Sequence, residues 1–165
     1  MKWLILSSLS MVLVLGPVRA DEHALFSIQV LTPETALQAA SAALEKCRAE
    51  GYQVAVAVVD RMGTLQVMLR DRYAGAHTPE TARRKAWTAT SFRTNTTDML
   101  EITAPGQPQA GVRQVTDALM IGGGMVIDAG GSLVGAIGVS GAPGGELDDL
   151  CAAAGIAAIE DDIAF

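Results

Sequence analysis

Apolar residues recur at helical spacing behind a proline in the first third of the chain. Thr32 and Pro33 have the chemistry of an N-cap and a first helical residue. The apolar positions that follow at this spacing are Leu37, Ala40, Leu44 and Cys47. Gly51 is of the residue type that most often follows a helix end. The pattern predicts a helix over residues 32–51 with these side chains on its buried face.

Two pairs of short apolar segments predict two hairpins. Residues 53–59 are mostly Val and Ala, as in a strand that is buried on both faces, and residues 64–70 return after a turn at 60–63. Residues 125–128 and 132–140 form the second pair, across a glycine-containing turn. Because hairpins pair their strands antiparallel, the sheet should be antiparallel.

Three further helices and one edge strand complete the prediction. Thr78-Pro79 begins a helix that runs to about residue 92, and a shorter helix covers 96–102. A last helix follows the glycine-rich loop 141–145. Its expected buried stripe is Leu147, Leu150, Cys151, Ala154 and Ala158. Residues 25–31 could form an edge strand. This order of elements predicts one α+β domain over residues 21–165, with helices packed on an antiparallel sheet.

The first 20 residues have the layout of a secretory signal peptide. Lys2 supplies a positive start, an apolar run follows, and Val18-Arg19-Ala20 places small side chains where a signal peptidase cleaves. The apolar run is shorter than the roughly 20 residues that a bilayer core requires. We therefore expect cleavage between Ala20 and Asp21 and a periplasmic or secreted protein, with a membrane anchor as the alternative.

The charge of the mature chain limits its partners. Loss of Lys2 and Arg19 leaves 10 basic and 18 acidic side chains, a net charge of −8. Binding to nucleic acid depends on basic contacts to phosphate, and anionic membrane surfaces also attract basic segments. We therefore expect neither nucleic acid nor a membrane as a partner.

Three motifs, in this order and spacing, resemble the GlcG/HbpS-type haem-binding family over roughly residues 32–160. They are 56–65 (VAVVDRMGTL), 82–89 (ARRKAWTA), and 122–127 (GGGMVI) followed by 134–141 (VGAIGVSG). Residues 148–155 (DDLCAAAG) are similar to the last helix of that family. The chain departs from the family at Met125-Val126, where proline before isoleucine is usual. The resemblance implies a profilin-like fold, a homo-oligomer and binding of haem, which some members slowly degrade.

A haem site requires an axial donor and cations for the propionates. His77 is the best donor by residue type, and as a ligand to haem iron it would also be the metal-binding residue; an ordinary exposed loop histidine is the alternative. His23 is a second, weaker candidate near the mature N-terminus. The residues expected to assist His77 in binding haem are Arg70, Arg84, Lys85 and Thr88. A solvated basic helix face is the alternative for the cations, and packing is the alternative for the threonine.

Cys47 and Cys151 are the only cysteines. An even number of cysteines in an exported chain favours a disulfide. The profilin-like fold implied by the resemblance would bring the end of the first helix to the start of the last, and we therefore expect these two residues to be bonded. Two buried free thiols are the alternative.

The short sequence around Ser140 is only partly similar to a catalytic motif. Residues 138–142 (GVSGA) end in alanine where the nucleophile elbow of hydrolases has glycine.

Together, the resemblance and the signal-like N-terminus favour an exported haem-binding protein, such as a scavenger, buffer or sensor accessory. A slow haem-degrading enzyme and a cofactor-free oligomeric partner-binding module are the alternatives.

Overall fold

The computed structural model describes residues 26–164. The predicted signal peptide and its cleavage site lie outside these residues, and so does His23. No helix within residues 26–164 is long and apolar enough to cross a bilayer.

Four α-helices form at or close to the predicted positions, and a 3₁₀ turn forms where no element was predicted. They are α1 (Pro33–Ala49), α2 (Thr78–Phe92), α3 (Thr96–Ile102), the 3₁₀ turn (Ala110–Gln114) and α4 (Gly145–Ala157). Thr32 caps α1 as expected, since its side chain accepts a hydrogen bond from the amide of Thr35 at 3.2 Å.

The four strands form one antiparallel sheet, which confirms the α+β prediction. The strands are β1 (Ala55–Asp60), β2 (Leu65–Arg70), β3 (Gly124–Ala129) and β4 (Ser132–Ser140). Their order across the sheet is β2-β1-β4-β3, so the two hairpins meet where β1 pairs with β4.

Helices cover both faces of the sheet. The α1 and α4 face buries large side chains, among them Val56, Val58 and Ile137. The α2 face is built mainly from small residues. They let α2 approach the sheet closely: at Gly138 of β4, a Cβ atom would lie 2.1 Å from the carbonyl oxygen of Ala82. This close approach holds the N-terminal turns of α2 beside the end of β4.

Three details of the predicted elements are wrong. Within the described part of 25–31 there is no strand: Phe26 is 89% exposed, and these residues have no ladder partner. Leu37 and Leu150 are 47% and 59% exposed although both were expected on buried stripes, and Ala158 is exposed as well. The helices instead pack through smaller residues, since a Cβ atom at Gly155 would lie 2.6 Å from the carbonyl oxygen of Ala39.

A disulfide and an ion pair connect the last turn of α1 to the rest of the domain. Cys47 and Cys151 are joined in a buried disulfide, with Cα atoms 5.5 Å apart. Arg48 donates hydrogen bonds from Nε and Nη2 to the two carboxylate oxygens of Asp71, at 2.7 and 3.0 Å. These bonds hold the pKa of the Asp71 carboxyl below its usual range, against the opposing effect of burial. The last turn of α1 is thereby fixed to α4 and to the loop that follows β2.

Candidate functional site

A groove opens where the N-terminal ends of α2 and α4 approach the ends of β1 and β4. Its volume is about 660 Å³, within the range of small-molecule sites. The side chains that give it chemical character are Tyr52, Gln53, Tyr73, His77, Thr78, Thr81, Lys85, Ser140 and Asp148. Both tyrosines of the chain are in this group.

His77 lies at the rim of the groove, at the residue that precedes α2. The residue is exposed, and its side chain makes no capping hydrogen bond to the helix. The imidazole lies over Gly75, where a Cβ atom would be 2.7 Å from Cε1. The absence of a side chain at Gly75 therefore allows this ring position, and the ring nitrogens of His77 are available to a ligand.

Lys85 forms part of the groove wall two turns further along α2, and it is 1% exposed. Its ammonium group donates hydrogen bonds to Oδ2 of Asp148 at 2.7 Å and to the carbonyl oxygen of Val139 at 2.9 Å. The glycine-rich segment that leads into β3 packs closely against Lys85. A Cβ atom at Gly123 would lie 2.9 Å from Lys85 Nζ, and one at Gly124 would lie 2.5 Å from the carbonyl oxygen of Lys85. One lysine thus connects α2, β4 and α4.

Asp148 is the partner that the sequence did not indicate. It lies in the first turn of α4, and Oδ1 accepts a hydrogen bond from the amide of Ala142 at 3.0 Å. Burial raises the pKa of the Asp148 carboxyl above its ordinary value, while the ammonium group of Lys85 and the bond from Ala142 act in the opposite direction. The carboxylate fixes both the lysine and the loop that leads into α4.

The structure does not bring Arg84 and Thr88 to the groove. Arg84 donates to the carbonyl oxygens of Asp117 and Ala118 at 3.2 and 2.9 Å. Thr88 donates back to the carbonyl oxygen of Arg84 at 2.8 Å and accepts from the amide of Leu119 at 2.9 Å. Both residues hold the segment 117–119 against the opposite side of α2.

Arg70 is also separate from the groove lining. Its guanidinium group donates to the carbonyl oxygen of Ala74 in the loop between β2 and α2. Arg70 therefore stabilises the loop that carries Tyr73 and His77. Of the five predicted cofactor-binding residues, the groove unites His77 and Lys85.

Two groove residues in addition to Asp148 were missed by sequence reasoning. Ser140, considered above only as a nucleophile, lies at the end of β4 and is 5% exposed. The side-chain oxygen of Gln53 is buried and accepts no hydrogen bond from residues 26–164. The residue types offered no signal for either position, because their role depends on which strand ends meet.

The described residues contain no cluster of three or more His, Cys, Asp or Glu side chains that could hold a metal ion. The groove therefore offers one imidazole to a metal and no preformed protein cage around one. This donor set fits a metal that arrives already coordinated by a larger ligand.

Comparisons with known proteins place the chain among haem-related proteins. The model of the family described as "Haem degrading protein HbpS-like" matches residues 31–157. A double mutant of HbpS from Streptomyces reticuli has a structure similar to this one, with a TM-score of 0.77, 40% sequence identity and coverage of 86% of this chain and 95% of the other. The structure of a PduOC:heme complex has a TM-score of 0.74 and 32% identity, and covers 79% of this chain and 95% of the other.

A curated relative, the corrinoid adenosyltransferase PduO of Salmonella typhimurium, is 33% identical over 106 residues. The match covers 63% of this chain but only 32% of PduO, so the chain spans about a third of that protein's length. Since the family model extends from two residues before α1 to the last residue of α4, this chain belongs to the HbpS-like family.

Proposed function

We propose that this protein binds haem, or a closely related tetrapyrrole, in the groove between α2 and α4. The observation that carries the proposal is the position of His77, the one histidine among residues 26–164, in the same groove as both tyrosines and the buried Lys85. Haem-binding sites combine an axial donor with apolar surface and groups that neutralise the propionates. The PduOC:heme complex, a structural relative, adds support.

Different residues of the groove would make different contacts with such a ligand. His77 would provide a nitrogen ligand to the iron, and Tyr52 and Tyr73, which line the same groove, would contribute aromatic surface. Lys85, which is paired with Asp148, would offer an N–H donor at the inner wall. A bound haem would supply an iron centre for gas binding or electron uptake, while the protein sets its orientation and its exposure to water.

Export is the second part of the proposal. The signal-like residues 1–20 motivate it, and a disulfide is of the kind that persists in oxidising compartments. Mass spectrometry of the protein from its host should give Asp21 as the first residue. An intact Met1-Lys2 on the protein recovered from the cell envelope would contradict export.

A haemin titration tests the binding proposal. The purified protein should give a sharp Soret band that saturates at one haemin per chain, and His77→Ala should weaken the binding or shift the band. His23→Ala tests the second candidate donor, and it should leave the titration unchanged if His77 is the ligand. No Soret band with the unaltered protein would refute haem binding, and an unchanged titration with His77→Ala would remove this residue from the site.

The same titration distinguishes a binder from an enzyme. We propose binding without turnover, so the band should persist when a reductant is added in air. Loss of the band under those conditions would assign slow haem degradation instead. Light scattering of the purified protein tests the homo-oligomer that the resemblance implies.

A further inference from the structure

Ser140 is a buried hydroxyl group that the fold does not use. It is 5% exposed, and its side chain makes no hydrogen bond with any of residues 26–164. Side chains alternate along β4, so Ser140 points to the same face as Ala136 and Gly138, towards α2. Among the described residues, the side-chain oxygens that are both unpaired and fully buried belong to Gln53 and Gln66. The Ser140 hydroxyl is unpaired but not fully buried, and it is open to the groove that it lines.

The N-terminal turn of α4, whose residues Gly144 and Gly145 line the same groove, has unused donors. Gly144 is the N-cap and provides no side-chain cap. The amide groups of Gly145 and Glu146 donate to no acceptor among residues 26–164, as is usual for the first residues of an uncapped helix. α4 has 13 residues, and its dipole gives this end a partial positive charge.

Lys85, whose charge is balanced by Asp148, adds a further hydrogen-bond donor next to Ser140. Its ammonium group has three N–H donors and uses two of them, on Asp148 and on the carbonyl oxygen of Val139. That carbonyl belongs to the peptide bond between Val139 and Ser140. The lysine therefore lies beside the serine and retains one donor.

Two acidic groups limit the negative charge of the group that can bind here. Asp148 is already satisfied by Lys85 and by the amide of Ala142. The carboxylate of Glu146 packs over Gly144, and its repulsion disfavours a dianion such as phosphate. The unused donors suit one small group with two oxygen acceptors and a single negative charge.

We propose that the Ser140 hydroxyl, the remaining N–H of Lys85 and the free amides of Gly145 and Glu146 form a carboxylate subsite at the inner end of the groove. The inference deepens the proposed function, on which it rests for the identity of the ligand: the subsite takes one propionate of the tetrapyrrole. Hydrogen bonds to a charged acceptor are the stronger kind in proteins. The subsite therefore fixes which edge of the ligand enters the groove.

Paired ligands and paired serine variants test the subsite. Haemin has two free propionates and haemin dimethyl ester has none. Ser140→Ala should weaken haemin binding by about tenfold, the usual effect of one hydrogen bond to a charged group, but should change binding of the ester less than about twofold. Ser132→Ala, at the exposed opposite end of β4, is the control and should change neither affinity. Equal losses for haemin and its ester with Ser140→Ala, or no loss for haemin, would overturn the subsite.

A second measurement separates the subsite from haem binding. Millimolar sodium propionate, added to ¹⁵N-labelled protein without haem, should shift the amide resonances of Ser140, Gly145 and Glu146, and these shifts should shrink in Ser140→Ala. Absence of the shifts would overturn the subsite even if haemin binds. Clear shifts in a protein that gives no Soret band would retain the subsite and reject the tetrapyrrole.

Discussion

Two lysine–carboxylate pairs of almost equal length differ mainly in burial. Lys85 and Asp148 are 2.7 Å apart, with side chains 2% and 5% exposed. Lys46 and Glu50 are 2.6 Å apart on the surface of α1, with side chains 40% and 50% exposed. Replacing each lysine with methionine therefore measures what burial adds to one type of contact.

Lys85→Met should lower the free energy of unfolding at pH 7 by about 3–5 kcal/mol, because it leaves a buried carboxylate without its cation. Lys46→Met should have little effect, because water and salt already screen the exposed pair. The double variant Lys85→Met/Asp148→Asn should lose less than Lys85→Met alone, because it removes both charges and keeps an acceptor for the amide of Ala142. Urea unfolding followed by circular dichroism gives the three values, and similar m-values would show that the same surface is exposed on unfolding.

The pH dependence of Lys85→Met gives a second check. Without the ammonium group, the hydrogen bond from Ala142 is the remaining contact that opposes burial, so the pKa of Asp148 rises further. A carboxyl whose pKa is raised by folding is favoured when protonated, so the stability deficit of Lys85→Met should shrink as the pH falls from 7 towards 4. A deficit no larger than that of Lys46→Met, or a double variant no more stable than Lys85→Met alone, would refute this account of the pair.

Three further outcomes are expected. Replacing both cysteines with alanine should cost about 4–5 kcal/mol, because the bridge joins residues 104 apart in sequence; two free thiols per chain in denatured, unreduced protein would contradict the bridge. Asp71→Asn should destabilise at pH 7 and progressively less in acid, since Arg48 lowers the pKa of Asp71 and that stabilisation is lost as the pH falls through the pKa in the folded protein. A pH-independent difference would contradict this expectation. Gly75→Ala should displace the His77 ring and weaken haemin binding, whereas Gly111→Ala, in open space, should not; equal titrations of the two variants would contradict the role of Gly75.

The order and type of the main elements could be predicted because periodicity is a local property. The Val- and Ala-rich β1 is buried throughout its first five residues, as its composition indicated. The errors occur where packing between helices decides which face is buried. Leu37 lies one position from the alanine stripe of α1. The close contact of α1 with α4 at Gly155 leaves Leu37 and Leu150 outside the interface between the two helices.

The site could be predicted only in part, for a geometric reason. Thr78, Thr81 and Lys85 follow one another at i, i+3 and i+7 on α2, and this face lines the groove. Arg84 and Thr88 share a different face, so a basic cluster that is continuous in sequence divides between two sides of the helix. Ser140 and Asp148 enter the site through tertiary contacts between β4, α2 and α4, which no local pattern encodes.

The position of Lys85 also has a consequence for the relation between stability and binding. A buried ion pair is often no more stabilising than apolar side chains of similar volume, so stability alone does not account for a lysine at this position. The pair does determine geometry: it holds the start of α4 against the end of β4 and keeps one N–H donor beside Ser140. Glycines at 123 and 124 are needed for the same arrangement, because any side chain there would collide with Lys85. The glycine-rich motif and the helix lysine, which are far apart in sequence, thus act together to shape the inner end of the groove.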